Sequence, residues 1–216
     1  MFDAHDKENG SPRKVRRRRR GEQKEQLRHL ILQTASEMFL ELGYHDFSLR
    51  KLAERVGCSA ATLYLYFRDK DDLLFTVVDT AFSLFRIQLA EAANSSADPW
   101  ERLGSLGEAY VLFGLNNPVY YRLMFMWRID YLIESRQGEQ APRVQAFQVL
   151  VDAVRYALDQ GAMQPGEPEV YSDVLWATMH GIVALVIQMP MFDEERTRKL
   201  TEHAKNMIYK AFHRLA

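Results

Sequence analysis

The chain has 216 residues, 47% of them hydrophobic and 26% charged, with a net charge of −1. That balance excludes a disordered or collagen-like polymer and allows one large domain or two small ones around a sizeable core. One cysteine, Cys58, excludes a disulfide framework within the chain and fits a reducing compartment.

The first twenty residues carry Lys7, Arg13, Lys14 and Arg16, Arg17, Arg18, Arg19 and Arg20 against Asp3, Asp6 and Glu8, so a basic arm precedes an acidic remainder. Such an arm suits contact with phosphates, or serves as a solubilising tail. No apolar signal segment follows Met1. The most apolar stretch, 174–192, is interrupted by Thr178, His180, Gln188 and Pro190, so no membrane span is expected. A soluble cytoplasmic protein is the expectation.

Helical spacing recurs along the chain and β-alternation does not, which predicts an all-α fold of nine helices. The first helix is expected over 22–42, with Leu27, Leu30, Ile31, Ala35, Met38, Phe39 and Leu42 on its apolar face and Gly43 closing it. Ser48 is placed to cap a short helix on Leu49, Leu52, Ala53 and Val56, ended by Gly57. Ser59 caps a shorter one running to Leu65, and Asp69 a long one to about Ala93, with Asp71 and Asp72 in its first turn. The long helix is expected to bury Leu73, Leu74, Val77, Val78, Ala81, Leu84 and Phe85.

Further on, Asp98-Pro99-Trp100-Glu101 reads as a capping box with proline at the first position. Asn117-Pro118 repeats the cap-plus-proline signal ahead of an aromatic and Met-rich segment, 120–131. After a loop near 137–142, helices follow at about 144–160, 169–188 and 194–215, the last capped by Asp193. The expected organisation is a flexible basic arm at 1–21, a unit of short helices at 22–68 and a larger helical unit at 69–216.

The two short helices around Gly57 form a helix-turn-helix, whose second helix would enter a major groove. On it Leu63 and Phe67 are expected in the core, leaving Tyr64 and Tyr66 to face a ligand. Ala60 and Ala61 are small enough for close approach, and the Ala and Thr62 methyls suit thymine methyls. Tyrosine hydroxyls reach phosphates. Cys58, in the turn, reads as a small packing residue.

The stretch SLRKLAERVGCSAATLYLYFRDKDDLL resembles the DNA-binding signature of the tetracycline-repressor-like (TetR) family over residues from about 24 to 75, and YLYFRDK is its most specific part. The resemblance implies that Arg50, Ala60 and Thr62 face bases or adjacent backbone, and that Ser48, Tyr64, Tyr66 and Lys70 contact phosphate. Ala61 departs from the glycine or proline of many members, which leaves base preference open. The arginine arm resembles the minor-groove arms of some members.

Trp176, His180 and Gly181 in VLWATMHGIVAL resemble a subgroup marked by those three residue types. Trp176 and His180, four apart, share a helix face; they either wall a pocket or pack as an interior pair. Phe113, Tyr121, Phe125, Trp176 and His180 are the candidate cavity-lining residues, for an apolar or acyl-type small molecule. The last two helices would pair with a second copy, using 182–187 with Met207, Ile208, Ala211 and Leu215. The implied function is a ligand-responsive regulator, a repressor bound as a homodimer to a palindromic operator. The alternative is a helical small-molecule-binding or partner-binding protein without sequence-specific DNA binding. No HExxH, GxSxG, Walker loop or paired ExxH occurs, the histidines show no metal-ligand spacing, and neither enzyme activity nor a cofactor is expected.

Overall fold

A computed structural model describes residues 12–127 and 141–214, without the side chains of 12–20. Tyr131, the loop expected at 137–142 up to Gln140, Leu215 and the start of the basic arm lie outside the described residues. Among the described residues nine α-helices follow one another: α1 Pro12–Asp46, α2 Leu49–Val56, α3 Ala60–Tyr64, α4 Lys70–Ala93, α5 Pro99–Asn116, α6 Pro118–Tyr121, α7 Pro142–Asp159, α8 Pro168–Gln188 and α9 Glu194–Phe212. A π-helical turn, Arg122–Met126, extends α6. No sheet occurs among the described residues; one isolated bridge pairs Met163 with His213.

Local chemistry sets most boundaries. Ser48, Ser59, Asp69, Asp98 and Asp193 each accept the backbone N–H three residues on, at 2.8–3.2 Å, so one orphan donor per helix start is satisfied. Gly57 ends α2 at φ 79°, a left-handed conformation that suits glycine. Gly43, at φ 73°, breaks the helical path of α1 where the sequence predicts its end, but helix resumes through Asp46. At its other end α1 starts at Pro12, ten residues ahead of the expected Glu22. The arginine run is strongly helix-forming, and Pro12 suits a first helical position, where a missing N–H costs no intrahelical bond.

Three expectations are corrected at the level of packing. Asn117 does not cap α6: its Nδ2 donates to the Phe113 carbonyl at 3.0 Å, closing the C-terminus of α5 instead. Leu84 and Leu30 are exposed, and Phe82 takes a core place on α4. The Glu101 carboxylate accepts from Ser96 Oγ, which in turn accepts the Asp98 N–H, so the capping box closes through a serine.

The chain divides into two compact units, Met1–Leu74 and Phe75–Ala216, and the division falls inside α4. In the first unit α2 packs on α1 and α3 on α2. Its core is Ile31, Ala35, Phe39, Leu52, Leu63 and Phe67, with Phe39 and Phe47 stacked at 3.9 Å. In the second, α8 packs on α5, α7 and α9. Contrary to the sequence expectation, α4 and α8 are both long and apolar enough to cross a membrane by length and composition. Each turns part of that apolar surface to the protein interior.

Candidate nucleic-acid interface and ligand cavity

The first unit presents α3 on a firm base. Leu63 and Phe67 are buried, whereas Tyr64 is 60% and Leu65 84% exposed. Leu65 was expected to be the last helical residue; it lies just past the end of α3 and projects into solvent. An exposed leucine beside an exposed tyrosine is the one apolar signal on this face that spacing alone did not single out. Ala61 is exposed, Ala60 and Thr62 half-buried. Thr62 Oγ1 lies 2.8 Å from Ser59 Oγ, so its hydroxyl stays at the helix start and its methyl is free to turn outward.

The other candidates are held more tightly than the sequence suggests. Tyr66 is half-buried, stacked on Phe67 at 6.3 Å, with the Lys24 ammonium 5.8 Å from its ring centre. Lys70 donates to the Tyr44 carbonyl at 2.7 Å and sits 3.9 Å from the centre of the Tyr44 ring. The Tyr44 hydroxyl in turn donates to Asp71. Lys70 thus ties the first turn of α4 to the end of α1, with two ammonium protons left over. Arg50 is open to solvent and only loosely engaged with Glu54 at 3.4 Å. Ser48 Oγ is occupied by its capping bond. Arg16 to Arg20 stand on helical backbone at the start of α1.

The second unit encloses a cavity of about 580 Å³, mostly apolar, within the usual size for small-molecule sites. Of the five expected lining residues, Phe125 and Trp176 face it; Phe113, Tyr121 and His180 do not. Phe113 and Tyr121 are fully buried behind the wall. They were expected at the surface of the cavity because periodicity identifies a buried face but not which layer of the interior each residue occupies.

Tyr110, which the sequence reading missed, joins these layers. Trp176 Nε1 donates to Tyr110 Oη at 3.1 Å, Tyr110 Oη lies 2.8 Å from Tyr121 Oη, and Tyr121 Oη lies 2.7 Å from His180 Nδ1. The indole can only donate. If Tyr110 donates to Tyr121 and Tyr121 to His180, every proton in the chain is used once. Tyr110 Oη also lies 3.4 Å from His180 Nδ1, so that ring nitrogen accepts from or donates to the two phenols according to the imidazole tautomer.

Loss of solvent pushes the Tyr110 phenol up to about 12, opposed by its bonds to Tyr121 and Trp176. Burial also pushes Tyr121 far upward and His180 down, so all three are neutral near pH 7. Among the described residues no group of His, Cys, Asp and Glu could hold a metal ion.

Residues 31–77 match the model of the bacterial regulatory proteins of the tetR family, and 103–207 that of the tetracyclin repressor-like C-terminal domain. The chain belongs to the TetR family. Among curated relatives, the HTH-type transcriptional activator FasR of Mycolicibacterium smegmatis is 29% identical over 61% of this TetR chain and 60% of its own length. The fatty acid metabolism regulator protein of Bacillus subtilis is 32% identical over 34% of this chain and 38% of its own. The chain thus spans less than two thirds of these relatives. Two solved structures share the TetR fold. A TetR family transcription regulator from Marinobacter aquaeolei VT8 superposes with TM-score 0.71 at 22% identity, over 90% of this chain and 99% of that one. FadR, a fatty acid degradation regulator from Bacillus halodurans, gives TM-score 0.72 at 17% identity, over 84% and 93%.

Proposed function

We propose that the protein is a ligand-responsive transcriptional regulator, a repressor that binds a palindromic operator as a homodimer and is released by an apolar, acyl-type small molecule. The observation that carries the reading is α3: a capped helix with a buried Leu63–Phe67 base and an outward Tyr64, in a chain of the TetR family. Two such helices, one per subunit, would enter major grooves about 34–36 Å apart or at a related spacing. Arg50, Ala60 and Thr62 would meet bases; Ser48, Tyr64, Tyr66 and Lys70 would meet phosphates, Lys70 through its spare protons; Arg16 to Arg20 would follow the adjacent backbone or minor groove.

The cavity of the second unit supports an effector site, and the fatty-acid regulators among the relatives favour an acyl-type occupant. Effector binding would favour a conformation whose α3 spacing no longer matches the operator, and it must bind that conformation more tightly to do so. Helix α4, which starts in one unit and continues into the other, is the route for that change. The site of action would be the cytoplasm, at the nucleoid.

The test is selection of bound duplexes from a random pool, followed by a salt titration on the winner. A palindromic winner, bound with a steep negative dependence of log K on log salt, is the expected result. No duplex bound at low ionic strength would leave the small-molecule-binding alternative in place.

A further inference from the structure

Helix α3 and the residue that follows it read Ala60-Ala61-Thr62-Leu63-Tyr64-Leu65. None of these is an arginine, lysine, asparagine, glutamine, aspartate or glutamate, the side chains that read base edges through paired hydrogen bonds. The Thr62 hydroxyl lies 2.8 Å from Ser59 Oγ, which also accepts the Thr62 N–H at 3.1 Å, so both oxygens are engaged at the helix start. Apart from the Tyr64 hydroxyl, the outward face is apolar. Leu63 is buried, and Leu65, two residues on, stands about 200° round the helix from it. Leu65 keeps helical backbone, at φ −74° and ψ −18°, so that rotation holds. At 84% exposed it is the most exposed large hydrophobic side chain among the described residues. Ala61, four residues before it, is exposed on the same face, about 6 Å along the axis.

We propose that α3 reads its operator through the 5-methyl groups of pyrimidines, with Leu65 as a specificity-determining residue that covers a thymine methyl in each half-site. The inference rests on α3 being the helix that enters the major groove, and it names what the helix recognises there. Thymine presents a methyl and an acceptor in that groove, whereas cytosine presents an amino donor and no methyl. A face of methyl and isobutyl groups gains by covering the thymine methyl. Over cytosine it strips water from the amino group and supplies no acceptor in return. Phosphates are no partner for an isobutyl group, so Leu65 gains at the base edges and not at the rim of the groove.

The test takes the duplex won from the random pool and replaces its thymines by deoxyuridine, one symmetric pair of positions at a time, with the full-length protein as binder. Deoxyuridine keeps the pairing edge and lacks only the methyl. At one such pair the affinity should fall about fourfold per methyl, or about fifteenfold for both half-sites. Leu65→Ala should melt as the wild type does, because the side chain is exposed. It should bind the thymine and deoxyuridine duplexes of that pair within about twofold of each other, a levelling that a merely structural role would not produce. Leu65→Met keeps an apolar side chain of similar reach and should keep most of the difference. Replacing the same T·A pairs by C·G should weaken binding, and methylating each cytosine at C5 should recover about fourfold per methyl.

A duplex bound equally well with deoxyuridine at every thymine overturns the inference and leaves DNA binding by α3 in place. So does a methyl penalty that Leu65→Ala leaves unchanged. Binding to no duplex overturns the regulator reading itself, and this inference with it.

Discussion

Tyr64 and Leu63 are adjacent in the chain and opposite in the fold: one is 60% exposed, the other buried. Because Tyr64 contributes little to the core, Tyr64→Ala should leave thermal stability nearly unchanged. Losing one phosphate hydrogen bond of about 1 kcal/mol from each subunit should weaken operator binding about thirtyfold, alike for all operator variants. Altered base preference would place Tyr64 on a base instead. Lys70 behaves differently, since its ammonium also holds the Tyr44 carbonyl; Lys70→Ala should lower both affinity and the melting temperature.

The buried polar chain sets two pH limits. His180 has its pKa lowered from 6.5 by burial, so the unfolded chain binds more protons below that value and stability falls as pH drops through the folded pKa. Tyr110 is raised from 10.0 to about 12, so the folded protein holds a proton that the unfolded chain releases, and stability falls as pH climbs from 10.0 toward 12. Denaturant midpoints across pH should show both shoulders, and His180→Gln should remove the acidic one. A His180→Gln variant as acid-sensitive as the wild type would assign that shoulder to other groups.

At the scale of elements, what could be read from the sequence was what is encoded within a turn or two of chain. Ser59 three residues before the N–H it caps, Gly57 at a left-handed position, and the four-residue spacing of Leu63 and Phe67 are local signals, and the helix-turn-helix came out as expected. The cavity wall did not, because it joins residues 11, 59 and 66 positions apart, and no periodicity reports which helix faces which. Asn117 was misread for a related reason: the same side chain can serve the helix before it or after it, and the Phe113 carbonyl won.

Gly114 is another residue whose meaning is tertiary. It is buried on α5, where α8 packs, and a Cβ there would come within 2.3 Å of Val183 Cγ1 and 3.1 Å of Tyr121 Cδ2. Glycine normally costs a helix about 1 kcal/mol against alanine, so its presence mid-helix marks this close approach. Gly114→Ala should lose about 1–3 kcal/mol through overpacking, despite its better helix propensity, and should disturb the Tyr121 end of the hydrogen-bond chain. Urea unfolding measures the loss; a stabilised variant would mean that α8 shifts freely away from α5.

On the scale of the whole molecule, charge and apolar surface are unevenly spread. Leu185 on α8 and Met207 on α9 are exposed, as are Val170 and Val174, although α8 is among the most apolar segments of the chain. Such a surface suits the pairing of two copies. A Leu185→Glu, Met207→Glu double variant should sediment as a monomer and lose operator binding, since one α3 alone has half the contacts. The charge asymmetry makes an independent prediction. Residues 1–20 hold eight lysines and arginines against three acids, and the rest of the chain is net acidic. Each phosphate neutralised contributes about −0.9 to the slope of log K against log salt. Among the described side chains, burial on α1 begins at Ile31, so a chain without residues 1–20 should fold and melt as before. If the five consecutive arginines each neutralise a phosphate, the slope should become shallower by about 4–5 per subunit. Binding to random duplex should suffer as much as binding to the operator, because a helical run of arginines turns about 100° per residue and reads charge rather than base edges. A truncated protein with an unchanged slope would make the run a solubilising extension and leave α3 and its neighbours as the whole of the DNA contact.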